Sequence, residues 1–215
     1  MKKFKALLVV ACALLLVAAS VFGTMAYLTS TDEVKNTFTV GKVNIKLDEA
    51  QVNADGTPVA NAERVKANEY KLLPGHTYNK DPMVTVLSGS ESSYVKMTVT
   101  FSKANELDAI FAPNGANLTS IFNGYSAANW IAKGNTKDAT ANTRTYEFWY
   151  KEAVGATTAD VALDALFDSI TVPGEITGEQ LETIKGMTIT VNAYAIQADG
   201  FADADAAWKA FTPNP

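Results

Sequence analysis

The stretch from Tyr94 to Phe101 constrains the fold more than any other part of this chain. Val95, Met97, Val99 and Phe101 are apolar, and Lys96, Thr98 and Thr100 between them are polar. Successive side chains of a strand point to opposite faces, so this pattern lays one face on a core and turns the other to solvent or a second layer. Arg144 to Lys151 repeats the period, with Tyr146, Phe148 and Tyr150 on one face and Glu147 and Trp149 on the other. Met187 to Gln197 is long, β-branched and ended by Ala198-Asp199-Gly200. Thr37 to Leu47 places Val43, Ile45 and Leu47 on one side, with Gly41 marking a bulge or bend. Met83 to Leu87, Trp130-Ile131 (bounded by Gly134) and Ser169 to Val172 read as short strands.

The connections carry turn chemistry. Asp48 to Asn68 is polar and contains Asp55-Gly56-Thr57-Pro58; Pro74-Gly75 and Pro173-Gly174 punctuate later segments, and Ser88 to Ser93 reads as a polar turn. Helical spacing appears in short pieces: Leu107, Ile110 and Phe111 before Pro113; Leu118, Ile121 and Phe122 before Gly124; and Leu163, Leu166, Phe167 and Ile170. Asp203 is placed to cap a final helix reaching Phe211, with Trp208 and Phe211 packing back on the body. Seven or eight strands with short helical insertions and Gly/Pro turns predict an all-β fold, a β-sandwich rather than a barrel or a βαβ array.

The N-terminus has a different character. Lys2, Lys3 and Lys5 precede an uncharged apolar run from Ala6 to Phe22, and Thr24-Met25-Ala26 puts small residues at the −3 and −1 positions of a cleavage after Ala26. That is the architecture of a secretory signal peptide over residues 1–26. The main alternative is an uncleaved anchor, since Ala6 to Leu28 is long enough to span a bilayer. Val9-Val10-Ala11-Cys12 resembles a lipoprotein cleavage box, but cutting there leaves Ala13 to Phe22 as a hydrophobic stretch on the mature end.

Cleavage after Ala26 removes three of 18 basic residues and leaves 15 against 23 acidic ones, a net charge near −8. Such a surface argues against binding nucleic acid or an anionic membrane through bulk charge. The single cysteine, Cys12, goes with the signal, so no disulfide braces the remainder, and 47% apolar composition supplies an ordinary core.

Several segments together resemble the TasA/camelysin family of exported Gram-positive proteins. They are Gly23-Thr24-Met25-Ala26-Tyr27-Leu28-Thr29; Asn36-Thr37-Phe38-Thr39-Val40-Gly41; Val43-Asn44-Ile45-Lys46-Leu47; Leu73-Pro74-Gly75 with Lys80-Asp81-Pro82 and Val84-Thr85-Val86; Ser93-Tyr94-Val95-Lys96; and Ala193-Tyr194-Ala195-Ile196-Gln197-Ala198 with Ala206-Ala207-Trp208. Asn105 to Glu182 carries no matching motif. The resemblance implies a jelly-roll-like β-sandwich over residues 39–215. It also implies a SipW-like signal peptidase acting around Thr24, Ala26 and Tyr27, and secretion to an extracellular matrix or the cell surface. It further implies a fibre in which the N-terminal segment 27–38, with Tyr27, Leu28, Val34 and Phe38, completes the sheet of the next subunit. A matrix accessory protein is a further expected partner. The alternatives are a monomeric surface-binding module or adhesin, and a camelysin-like surface metallopeptidase.

Enzymatic readings find little in the residues. His76 is the one histidine, in the apparent turn Pro74 to Tyr78; no His-Glu-x-x-His occurs, whereas a catalytic zinc ordinarily takes three protein ligands. The serines sit in polar turns, without a nucleophile-elbow pattern. Asp199, Asp203 and Asp205 lack the spacing and closing glutamate of a calcium loop, and read as the cap and first turn of the last helix. Thr31-Asp32-Glu33 and Asp160 read as solvated surface. Tyr146, Phe148, Trp149 and Tyr150 read as packing rather than a carbohydrate platform, and Asn117-Leu118-Thr119 is a sequon by pattern alone. A non-enzymatic protein without cofactor is the expectation.

Overall fold

The computed structural model describes residues 41–111 and 122–212. Eleven strands and three short helices appear there, and the strands join in antiparallel sheets. The fold is all-β.

The largest sheet is built on β4 (Ser90–Ser102). On one side it pairs with β11 (Ile189–Gln197), and on the other with β7 (Thr143–Tyr150), which pairs in turn with β6 (Trp130–Asp138). β8 (Val154–Ala156) joins the start of β4. A second sheet runs β1 (Ile45–Asp48), β3 (Met83–Val86), β9 (Val161–Ala162). A third runs β2 (Thr77–Asn79), β10 (Ser169–Thr171), β5 (Phe122–Asn123). The helices are α1 (Ala104–Phe111), α2 (Gly178–Thr183) and α3 (Ala204–Ala210).

The alternation in β4 decides where the core sits. Val95, Met97, Val99 and Phe101 are fully buried, and cross-strand register sets Tyr146 and Phe148 of β7 beside them. The other two sheets contribute Tyr78, Val84, Val86, Phe122 and Ile170 to the same cluster. Phe101 stacks on Phe122 at 5.9 Å, and Phe122 on Phe167 at 4.2 Å, so one aromatic column ties the sheets together.

Four local expectations are corrected. Leu163, Leu166, Phe167 and Ile170 form no helix. The Leu163 amide donates to the Val84 carbonyl (2.8 Å) and the Leu166 amide to that of Pro82 (3.0 Å), so the segment lies along β3 and its apolar residues reach the core from an extended chain. Phe122 is in a strand, opposite Ile170 of β10; Leu118 and Ile121 lie outside the described residues. Ser90 to Ser93 opens β4 rather than forming a turn. Ser93 Oγ donates to the Val154 carbonyl (3.1 Å) and Ser90 Oγ to that of Asn44 (3.2 Å), so both buried hydroxyls are satisfied. β6 continues past Gly134 to Asp138, because a bulge between Ala132 and Gly134, with Gly134 at φ +128°, lets the strand resume its pairing with β7. α2 was not anticipated, although Thr177 and Gln180 make a full capping box. The last helix forms where expected, capped by Asp203, whose carboxylate accepts from the Ala206 amide at 2.8 Å.

Candidate functional site

The signal-cleavage residues Thr24, Ala26 and Tyr27 and the donor residues Leu28, Val34 and Phe38 lie outside the described residues, as do the membrane-anchor alternative and Cys12. What the structure does describe is how the sheet edges are finished.

The sheet edges are finished in different ways. β6 carries Lys133, Lys137 and Asp138 together with its bulge, devices that keep another strand away. β1 turns the backbone of Ile45, Leu47 and Glu49 outward. Val65 closes that side by exchanging hydrogen bonds with Glu49 (3.0 and 2.8 Å), and Lys66 Nζ donates to the Leu47 carbonyl. β11 has none of this. Its sequence, ITVNAYAIQ, holds no charge, no proline and no bulge. Pairing with β4 uses even-numbered residues: the Ser102 amide reaches the Thr188 carbonyl (3.1 Å) and the Ala198 amide that of Ser92 (2.8 Å). The amides and carbonyls of Ile189, Val191, Ala193, Ala195 and Gln197 therefore point away from β4. Among the described residues no strand pairs with them.

Two features flank this edge. Beside the start of β11, a narrow apolar cleft is lined by Leu72, Phe101, Leu107, Ile184, Met187 and Ile189. At the other end, the Glu91 amide donates to the Lys42 carbonyl (2.9 Å). The first described residues thus lie next to the start of β4, close to where Ala198 leaves β11.

A second cluster lies under the long connection between β1 and β2. Arg64 bonds Asp48 Oδ1 through Nε (2.6 Å) and Asp81 Oδ2 through Nη1 (2.7 Å), while Nη2 donates to the carbonyls of Asp48 (3.1 Å) and Asp81 (2.8 Å). Burial pushes the Asp48 carboxyl up, but hydrogen bonds from Lys46 and Arg64, with their charges, outweigh it and hold it below the ordinary carboxylate value. Beside this clamp, Lys80 Nζ lies 2.5 Å from Glu49 Oε2, both side chains buried. Asn68 Nδ2 donates to Glu49 Oε1 at 2.9 Å. The Tyr70 ring lies 5.9 Å from Lys80 Nζ, and burial, then the Glu49 charge, pushes its hydroxyl well above the usual range. The sequence reading assembles neither cluster: Lys80 and Asp81 stand there only in the segment Lys80-Asp81-Pro82, and residues 48–68 read as a polar loop. The signal was there in principle, as charged residues spaced along a segment otherwise built for turns.

The remaining candidates fall as follows. His76 is exposed, with its ring 6.1 Å from that of Tyr78. Asp205 pairs with Lys133 at 3.5 Å, and Asp160 accepts from the Ser88 amide at 2.8 Å. Among the described residues no three His, Cys, Asp or Glu side chains gather to hold a metal, and no helix is long and apolar enough to cross a membrane. Tyr146 and Phe148 face the core, and Tyr150 meets Trp130 edge-on at 5.0 Å. Trp149 faces outward beneath Lys133 (3.9 Å), next to Trp208. Lys96 sits over the Trp208 and Phe211 rings at 4.6 and 5.2 Å, which fastens α3 to the outer face of the large sheet.

No protein-family model, curated protein or solved structure matches the chain.

Proposed function

We propose that the protein is a secreted structural subunit of an extracellular matrix or cell-surface fibre of a Gram-positive bacterium. In this reading the fold is a jelly-roll-like β-sandwich. A SipW-like peptidase cuts after Ala26, and the freed segment Tyr27 to Phe38 adds to the sheet of the next subunit. The observation that carries the proposal is the outward edge of β11, an uncharged row of backbone donors and acceptors, while charge, bulge or a covering loop blunts β6 and β1. A strand laid there satisfies the open groups, and extends a sheet whose inner face is already packed. The contact of Lys42 with Glu91 is consistent with the same reading, because it puts the first described residues near the end of β11.

Electron microscopy of the protein lacking residues 27–36 tests this. Filaments vanish and a folded monomer remains, and a synthetic peptide of residues 27–40 binds that monomer. Filaments that persist after the deletion refute strand exchange. A monomer with or without the segment moves the protein to the surface-binding reading.

A further inference from the structure

We infer that Lys80 and Asn68 join in an intramolecular isopeptide bond, with Glu49 as the proton-transferring carboxylate. Three groups needed for amide exchange meet under the β1–β2 connection. The Lys80 amine is the nucleophile and the Asn68 side-chain amide the electrophile. Glu49 touches both: Oε2 is 2.5 Å from Lys80 Nζ, and Oε1 accepts from Asn68 Nδ2 at 2.9 Å. One carboxylate thus bridges the attacking and the leaving nitrogen. Lys80 and Glu49 are 6% and 8% exposed, so water competes little for either.

The Asn68 amide is fixed on all sides. Its second Nδ2 hydrogen goes to the Ala50 carbonyl (2.9 Å), and Oδ1 accepts from the Val52 amide (3.0 Å). That backbone N–H polarises the carbonyl and stabilises the oxyanion formed on attack. Holding both reactants on a shared carboxylate removes most of the entropic cost of bringing them together. The Tyr70 ring covers the amine at 5.9 Å.

The step balances without oxidant or cofactor. Lys80 Nζ passes a proton to Glu49 and attacks Asn68 Cγ. The Nζ–Cγ bond forms, and the Cγ=O electrons move to Oδ1, held by Val52 N–H. The oxyanion then collapses, the Cγ–Nδ2 bond breaks, and Glu49 delivers its proton to the departing nitrogen, which takes up the second proton lost from Nζ and leaves as an ammonium ion. Glu49 ends as it began, and a secondary amide ties the loop to the residue two positions before Pro82. The bond requires no thiol, in a chain whose one cysteine is Cys12. It is independent of strand exchange, since a monomer would carry it equally.

Intact mass and a tryptic digest of the folded full-length chain test the proposal. The expected mass is one ammonia below that of the sequence. The digest then contains Ala67–Lys71 joined to a peptide running uncut through Lys80, because a modified lysine blocks trypsin. Lys80→Arg and Glu49→Ala restore the full mass, and Asn68→Asp loses water in place of ammonia. A folded wild-type protein at full mass with free Ala67–Lys71 overturns the bond. So does an ammonia loss that survives Lys80→Arg, since that places the chemistry elsewhere.

Discussion

Replacing Arg64 by alanine probes the clamp that holds the long β1–β2 connection against β1 and β3. The substitution removes four hydrogen bonds at once and leaves Asp48, whose side chain is 3% exposed, with Lys46 as its remaining cation at 2.7 Å. Breaking a fully buried pair by removing one partner costs about 3–5 kcal/mol. Arg64 and Asp81 are 27% and 29% exposed, and solvent screens their half of the network, so the expected loss is about 2–3 kcal/mol at pH 7. Urea denaturation with linear extrapolation reads this as a midpoint shift of roughly 1 M, taking a slope of about 2 kcal/mol per molar.

The pH dependence supplies a second readout of the same clamp. The Asp48 carboxyl sits below its ordinary value of 3.8 in the folded protein. A depressed carboxyl adds stability above its unfolded pKa and loses it as pH falls through the folded value. The gap between wild type and Arg64→Ala is therefore widest at neutral pH, begins to narrow near the ordinary carboxylate value of 3.8, and closes only once pH falls below the lowered folded-state value of Asp48. A loss under 0.5 kcal/mol at pH 7, or a gap that stays constant down to pH 3, refutes the assignment of the stabilisation to the Arg64–Asp48 contact.

Three further substitutions probe the fold. Phe148→Ala empties a core position opposite Met97 and is expected to cost about 3–5 kcal/mol by urea denaturation. Gly56→Ala places a Cβ 2.6 Å from the Tyr78 backbone at a residue with φ +82°; its loss should exceed the roughly 1 kcal/mol that a tolerated glycine-to-alanine replacement gains, and hydrogen exchange should quicken at Asn79, whose amide bonds the Gly56 carbonyl. Asp203→Ala removes the cap of α3 and is expected to cost about 1 kcal/mol, with tryptophan fluorescence shifting as Trp208 loosens, whereas Asp203→Asn retains most of the stability.

The strands that could be read were those whose side chains alternate between two environments, or whose residues are β-branched over a long run. β4 and β7 each have a buried face, and the period of two in their sequences is the direct record of that burial, whereas β11, read from its length and β-branched residues, lays Ile189, Val191, Ala193 and Ala195 half-buried against the core. The helix cap at Asp203 was legible for a similar reason, because the bond it makes spans only three residues. Leu163 to Ile170 misled because an extended chain that touches the core irregularly leaves the same spacing as a short helix. Ser90 and Ser93 misled because their hydroxyls find partners 46 and 61 residues away.

Local pattern and composition by themselves determined an all-β chain, its three strongest strands and the place of its last helix, since each depends on neighbours in sequence. Which strand edge has no partner strand among the described residues was decided by tertiary structure alone. β11, β6 and β1 differ in what lies across from them, and the Val65 cover on β1 comes from a loop that reads as mere connection. The meeting of Glu49, Asn68 and Lys80 is of the same kind: the residues are spread over 31 positions, and only the fold of the loop over β1 brings one carboxylate within hydrogen-bond reach of both nitrogens.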